Sequence, residues 1–399
     1  MTGVAALAGR PGAERLALLD ALRAVALFGI LQVNILSYLW GPVSLAVFKT
    51  PPALADQAAY LLIATFVSTK FLSLFALLFG YGFALQLRAL RRRHGPVQAR
   101  AAYRRRLAFL LAVGVLHGVF LYFGDILTAY AVCGFALLLY AGARPALLAR
   151  HARGWLAAYA AITVLIAIAL GVAGAPPEEA AEIPPEWLER FEIAATGNYG
   201  QFVRVNLSDY LDMTALSVTL SAPYLLGLFV LGALAARLGW LAQPERHRRL
   251  WQAARRLGWA TLPVAALGAW LMLRAQIETP GAASALGFTL NVLSFPLLAL
   301  YLAWVVRWRN APALRAIVAW LAPAGRMPLT NYLAQSLAMG VLLAGWGLGW
   351  GVWLSTAQLA QLALAIVVVQ IVASRAWIAR FGQGPVEALW RRATYGARG

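Results

Sequence analysis

Apolar stretches of about twenty residues recur along the whole chain, separated by short polar segments. Twenty helical residues rise about 30 Å, the thickness of a bilayer hydrocarbon core. The pattern predicts ten membrane-spanning helices, over residues 16–40, 58–87, 104–122, 125–142, 155–174, 217–237, 257–275, 285–306, 327–345 and 357–377. The expected fold is therefore all-α, a polytopic bundle in one membrane domain. It divides into an N-terminal five-helix part (1–174), an acidic loop (175–216) and a C-terminal five-helix part (217–399). No soluble segment is long enough to fold alone.

Two stretches break the simple pattern. As one helix, residues 58–87 would run about 45 Å, too long for one upright crossing. Either that helix tilts strongly, or 56–67 lies along the outer interface and the crossing starts near Ser68. The Pro- and Glu-rich stretch 175–200 predicts a short amphipathic helix around 185–196. No internal repeat is evident, which weakens a symmetric transporter plan.

Composition agrees with a membrane protein: 62% of residues are hydrophobic, 12% are charged, and mean hydropathy is +0.70. The net charge of +19 would suit nucleic acid, but its distribution argues against that partner. Arginines cluster in short loops such as "RALRRRHGPVQARAAYRRR" (88–106) and "PERHRRLWQAARR" (244–256), as positive-inside orientation requires, with anionic headgroups as neighbours. Both termini are then expected to be cytoplasmic in a multi-pass membrane protein. Eleven of the fifteen acids fall outside or at the outer boundary. The first apolar segment reads as a retained anchor rather than a cleaved signal. The single cysteine, Cys133, excludes an intramolecular disulfide, and four scattered histidines offer no metal-ligand spacing.

The chemistry lies in the polar residues that the apolar pattern cannot explain. In "VGVLHGVFLYFGDILTAYAV" (113–132), His117 sits about 20 Å along its helix, past the midplane, and Asp125 opens the next helix after a tight turn. A structural reading makes Asp125 a helix cap and His117 a hydrogen-bonded interhelical imidazole, with Gly114 and Gly118 admitting a close neighbour. A functional reading places His117, Asp125, Asn34 and Lys70 around one outward-opening cavity. His117 would then take an acceptor's proton, Asp125 would orient the ring, and Asn34 or Lys70 would stabilise an oxyanion. At the inner face, Asp20 and Arg23 are one turn apart, and "PAGRMPLTNYLAQS" (323–336) carries Arg326 and Asn331. These residues either anchor the helices in the headgroup layer or hold a phosphate-bearing, CoA-like anion. His94, His151 and His247 read as solvated residues of basic loops.

Four stretches carry a family resemblance: "RLALLDALRAVALFGILQVNIL" (15–36), "KFLSLFALLFGYGFALQL" (70–87), "RRLAFLLAVGVLHGVFLYFGDILTAYAV" (105–132), and "GRMPLTNYLAQS" (325–336) with the tail "GPVEALWRRATYG" (384–396). Together they resemble the YeiB-like bacterial inner-membrane family, whose C-terminal part is domain of unknown function 418. Ala24 stands where that family usually has Gly. The first helices of the family are similar to membrane acyltransferases, including heparan-alpha-glucosaminide N-acetyltransferases and sugar O-acyltransferases. In the O-acyltransferases a basic residue is followed by a histidine at the spacing that here separates Arg23 from Asn34, so this chain lacks that histidine and His117 becomes the candidate base.

The reading that results is a transmembrane acyltransferase. It would carry an acyl group from cytoplasmic acyl-CoA, a co-substrate and not a covalently held cofactor, to an outward-facing small-molecule, lipid or glycan acceptor. The competing readings are a transporter or exporter of a small amphipathic metabolite, and a non-catalytic membrane partner.

Overall fold

A computed structural model describes residues 11–39, 53–173, 185–278 and 291–395, and among these every regular element is helical. The N-terminal half contains α1 (Pro11–Ser37), α2 (Leu54–Leu62), α3 (Lys70–Phe120), α4 (Leu127–Leu137), α5 (Pro145–Ala173) and α6 (Pro185–Thr196). The C-terminal half contains α7 (Tyr199–Leu216), α8 (Ala222–Leu238), α9 (Arg248–Glu278), α10 (Ser294–Trp308), α11 (Pro312–Gly325), α12 (Pro328–Leu343), α13 (Thr356–Phe381) and α14 (Pro385–Tyr395).

By length and apolarity, six helical stretches among the described residues can cross a membrane: Leu16–Ser37, Leu54–Phe120, Pro145–Ala169, Tyr199–Leu238, Pro244–Arg274 and Thr356–Phe381. The expected ten is not reached by that criterion, for two physical reasons. The stretch Leu54–Phe120 holds more than one helix, and Leu127–Tyr140 and Ser294–Trp308 are apolar but short. Part of the expected span 285–306 lies outside the described residues. Large apolar side chains point outward on several helices, with Leu165 at 64% and Val369 at 66% exposure. Such a rim is suited to lipid rather than to water.

The long second span resolves into separate pieces. After α2 the chain makes one wide π-type turn (Ile63–Val67) and breaks at Ser68–Thr69, where Thr69 takes φ 65°. Within α3 the arginine-rich stretch expected as a loop stays helical, with a sharp reversal at Gly95. Gly95 has φ 79°, which glycine tolerates, and Pro96 starts the second limb where its missing N–H costs nothing. Residues 199–216, expected to be loop, form α7, because Asn206 and Tyr210 find polar partners inside the bundle. Residues 312–325, also read as loop, form α11 against α1, where a Cβ on Gly325 would lie 1.7 Å from the Asp20 carbonyl oxygen.

Backbones also meet closely where α3 crosses α8. A Cβ on Gly80 would sit 2.0 Å from the Phe229 carbonyl oxygen, and one on Gly232 equally close to that of Leu77. Backbone contact of this kind supplies the van der Waals packing that holds helices together in lipid. Phe79, Tyr130 and Phe229 fill the adjoining space with ring centroids 4.6–5.5 Å apart.

Contacts define two ends of the bundle. At one, Tyr38 donates to the Leu121 carbonyl (3.0 Å), Arg190 donates to that of Leu39 (2.8 Å) and pairs with Asp209, and the Gly345 amide donates to the Ala194 carbonyl (3.0 Å). At the other, Arg106 lies over the Trp390 ring (3.5 Å), Arg105 donates to the Thr394 carbonyl (2.9 Å), and Arg237 caps the carbonyls that end the α4 segment. Asp209 and Arg190 thus belong to one set of contacts, and Arg105, Arg106 and Arg237 to the other.

Candidate functional site

His117 lies in the last turn of α3, whose final carbonyls must find partners outside the helix. The chain stops there because Asn206 of α7 donates to the carbonyls of Gly118 (2.6 Å) and Val119 (2.9 Å) and accepts from the Phe123 amide (2.7 Å). The turn that follows brings Asp125 back over the same helix face. Gly114 makes this approach feasible: a Cβ there would fall 2.6 Å from the Thr128 nitrogen and 3.0 Å from Asp125 Oδ2. Gly118, one turn on, leaves room for the Tyr210 ring, which a Cβ would meet at 2.1 Å. The paired glycines thus admit the first turn of α4 and a ring of α7.

Asp125 is buried and does two jobs. Its carboxylate accepts from the amides of Leu127 (3.1 Å) and Thr128 (2.8 Å), capping the first turn of α4. Oδ1 also lies 2.9 Å from His117 Nδ1. On the far side of the ring, His117 Nε2 is 2.8 Å from Ser336 Oγ on α12. All three residues are buried, with His117 at 2% and Ser336 at 1% exposure. An ionised carboxylate only accepts, so a neutral imidazole facing one carries its proton on Nδ1 and leaves Nε2 bare to accept from the serine hydroxyl. A hydroxyl, an imidazole and a carboxylate are therefore strung together in one chain, an arrangement that can activate a hydroxyl as a nucleophile. Tyr332, one turn before Ser336, packs its ring 4.8 Å from the imidazole.

The register of α12 decides whether Ser336 reaches His117, and two contacts fix it. Glu387, from the tail helix α14, accepts from the amides of Leu329 (2.7 Å) and Thr330 (3.1 Å) and from the Thr330 hydroxyl (2.6 Å), so it caps α12 from outside. The other face of α12 is tied to α13 by amides. Gln335 donates to Gln370 Oε1 (2.9 Å), Gln370 donates to the Asn331 carbonyl (3.0 Å), and Asn331 donates to Ser374 Oγ (3.1 Å) and the Ala324 carbonyl (3.0 Å).

The other residues singled out in the sequence are placed as follows. Asn34 is half-buried at a similar level: one turn on, Ser37 Oγ lies 2.6 Å from the Tyr122 hydroxyl, and the Tyr122 amide donates to the His117 carbonyl. Among the described residues its side chain hydrogen-bonds neither His117 nor Asp125. Lys70 is buried and donates to the Ala64 carbonyl (2.7 Å), satisfying the wide turn before its own helix. Arg23 pairs with Asp20 (2.6 Å), and Arg326 donates to the Gly382 carbonyl (2.6 Å). Asn331 is taken up by the amide network just described. His94 is exposed, whereas His151 meets the Tyr140 hydroxyl (3.0 Å) and His247 the Leu238 carbonyl (2.9 Å). Among the described residues no group of three His, Cys, Asp or Glu could hold a metal ion.

Ser336 is what the sequence reading missed, although it ends the motif "TNYLAQS". A serine costs little in a membrane helix, so nothing in its own burial draws attention. The available signal was spacing: Tyr332 and Ser336 share one face of α12, while Asn331 and Gln335 share the next.

Residues 235–397 match the model of a family described as a protein of unknown function (DUF418). Over nearly all of its length the chain is similar to the uncharacterized protein YxaH of Bacillus subtilis (29% identical, 96% of this chain and 94% of that one). It is similar to the uncharacterized protein YeiB of Escherichia coli (28%; 97% and 98%) and to an uncharacterized 39.9 kDa protein of Bacillus acidopullulyticus (26%; 96% and 94%). No solved structure matches. These matches bear out the YeiB-like resemblance; they do not show one to acyltransferases.

Proposed function

We propose that this YeiB-like chain, with its C-terminal DUF418 region, is a membrane acyltransferase in which Ser336 carries the acyl group between donor and acceptor. The observation that supports this reading most is the buried chain Ser336 Oγ–His117 Nε2 (2.8 Å) and His117 Nδ1–Asp125 Oδ1 (2.9 Å). Ser336 Oγ attacks the thioester carbonyl of an acyl-CoA while Nε2 takes its proton. The carbon–sulfur bond breaks, and the CoA thiolate takes the proton back from Nε2. A hydroxyl of the acceptor then gives its proton to Nε2 and attacks the serine ester, and Ser336 leaves with that proton. Asp125 holds the ring in the required tautomer throughout. The backbone amides around Ser336 lie inside α12, so we assign oxyanion donation to side chains, with Asn34 as the candidate.

A transporter is the second reading, because Asn331, Gln335, Gln370 and Ser374 continue the polar line from Ser336 away from the acid-bearing end. One assay separates the two. Purified protein in lipid nanodiscs is given labelled acetyl-CoA and hydroxylated acceptors, and CoA thiol release is followed. The acyltransferase reading expects release that falls about 10²–10⁴-fold in His117→Ala. Equal release by that variant removes the mechanism, and acceptor flux through proteoliposomes without release favours the transporter.

A further inference from the structure

A second candidate site lies away from the buried serine and histidine, at the arginine-rich end, where α9 and α10 pack together. Gly258 allows the approach, since a Cβ there would sit 2.4 Å from the Leu300 side chain. The two helices leave between them an open cleft of about 350 Å³. From α9 it is lined by Arg255, Arg256 and Trp259, with Gln252 one turn earlier, and from α10 by Trp304, Arg307 and Trp308. The spacings i, i+3, i+4 and i+7 put each set on one helix face. Trp259, Trp304 and Trp308 are 52%, 44% and 48% exposed. Their rings form a connected wall, with centroids 6.4 Å apart for Trp259–Trp304 and 6.3 Å for Trp304–Trp308. Among the described residues no carboxylate pairs with Arg255, Arg256 or Arg307. The carboxylate of Glu245, in the turn before α9, is taken by Arg309.

Three guanidiniums without a carboxylate partner would repel one another unless an anion sits among them. The exposed tryptophans mark the depth at which a headgroup meets its acyl chains. Arginine forks match phosphate oxygens, and the tryptophan wall suits the glycerol and first methylenes behind them. We infer that this cleft binds the phosphodiester headgroup of one anionic phospholipid in the adjoining leaflet. The apolar rim favours a lipid over a free phosphate, which would leave the tryptophan wall facing water.

Native mass spectrometry of the full-length protein, released from nanodiscs of phosphatidylcholine with added phosphatidylglycerol, tests this. The wild type should retain one phosphatidylglycerol in preference to phosphatidylcholine. In Arg255→Gln/Arg307→Gln that preference should fall about tenfold or more, as loss of two charges near a lipid surface implies at ~1 kcal/mol each. Exposed Arg392→Gln, in α14, should leave it unchanged. Unaltered preference in the double variant overturns the site, and so does an equal loss in Arg392→Gln. Displacement of the retained lipid by millimolar inorganic phosphate or by CoA would show a free-anion site instead. Where the double variant does not fold, Arg256→Gln alone is measured, with a fall expected and an unchanged preference counting against the site.

Discussion

Two polar clusters share α12 within a single turn, and they differ in kind. Gln335 and Asn331 close a network of amides and a serine with α13, in which each side chain meets a complementary partner and none readily exchanges a proton. Ser336, on the neighbouring face, enters a chain that ends in an imidazole and a carboxylate. Burial and hydrogen bonding are alike in both. What separates them is that the first holds no group that readily exchanges a proton, whereas the second can move one. A polar group deep in a membrane helix is therefore not in itself a mark of function; what its partners can exchange decides.

Substitution should pull the two clusters apart. The largest effect is expected at the reactive chain: Ser336→Ala and His117→Ala should each remove acyl transfer by about 10²–10⁴-fold in the CoA-release assay. Because residues acting as a unit are not additive, the double variant should be little worse than either single one. Asp125→Asn should cost nearly as much, because the amide can present a donor to Nδ1 and so favour the wrong tautomer. It should also lower the unfolding midpoint, since one carboxylate serves both α4 and the ring.

Next comes a steric variant that spares the chemistry. Gly118→Ala would drive a methyl into the Tyr210 ring, and a loss of roughly 1–3 kcal/mol is expected from thermal unfolding in detergent. The amide network comes last. Gln335→Leu leaves the Gln370 carbonyl oxygen without its donor and should cost about 1–3 kcal/mol, while Gln335→Leu/Gln370→Leu should recover part of that. Both should keep transfer activity; loss of transfer in the stable double variant would erase the distinction between the clusters.

How much of this was legible in sequence follows from what each residue costs. His117 and Asp125 stood out because an imidazole and a carboxylate are expensive in hydrocarbon. The break near Ser68 and the helix at Pro185–Thr196 followed from length and pattern. Lys70 was equally conspicuous, yet the structure spends it on the Ala64 carbonyl, a local backbone need that depends on a π-type turn no periodicity signals. Asn206 was lost in a segment whose acids suggested a loop, since its partners lie some eighty residues away in the chain. Ser336 and Glu387 were hidden for the opposite reason: each is ordinary where it stands, and only the packing of α12 against α3 and α14 gives it a role.

The central claim is that His117 and Asp125 activate Ser336, and reaction with a fluorophosphonate tests it without knowing the acyl group or the acceptor. Purified protein in nanodiscs would be treated with a small labelled fluorophosphonate, digested, and its modified peptides mapped by mass spectrometry. The account predicts a single phosphonylated serine at Ser336, with labelling that collapses in His117→Ala and falls in Asp125→Asn while Gln335→Leu/Gln370→Leu keeps it. Labelling of Ser336 that is as fast in His117→Ala as in the wild type, or labelling confined to another serine, would contradict it.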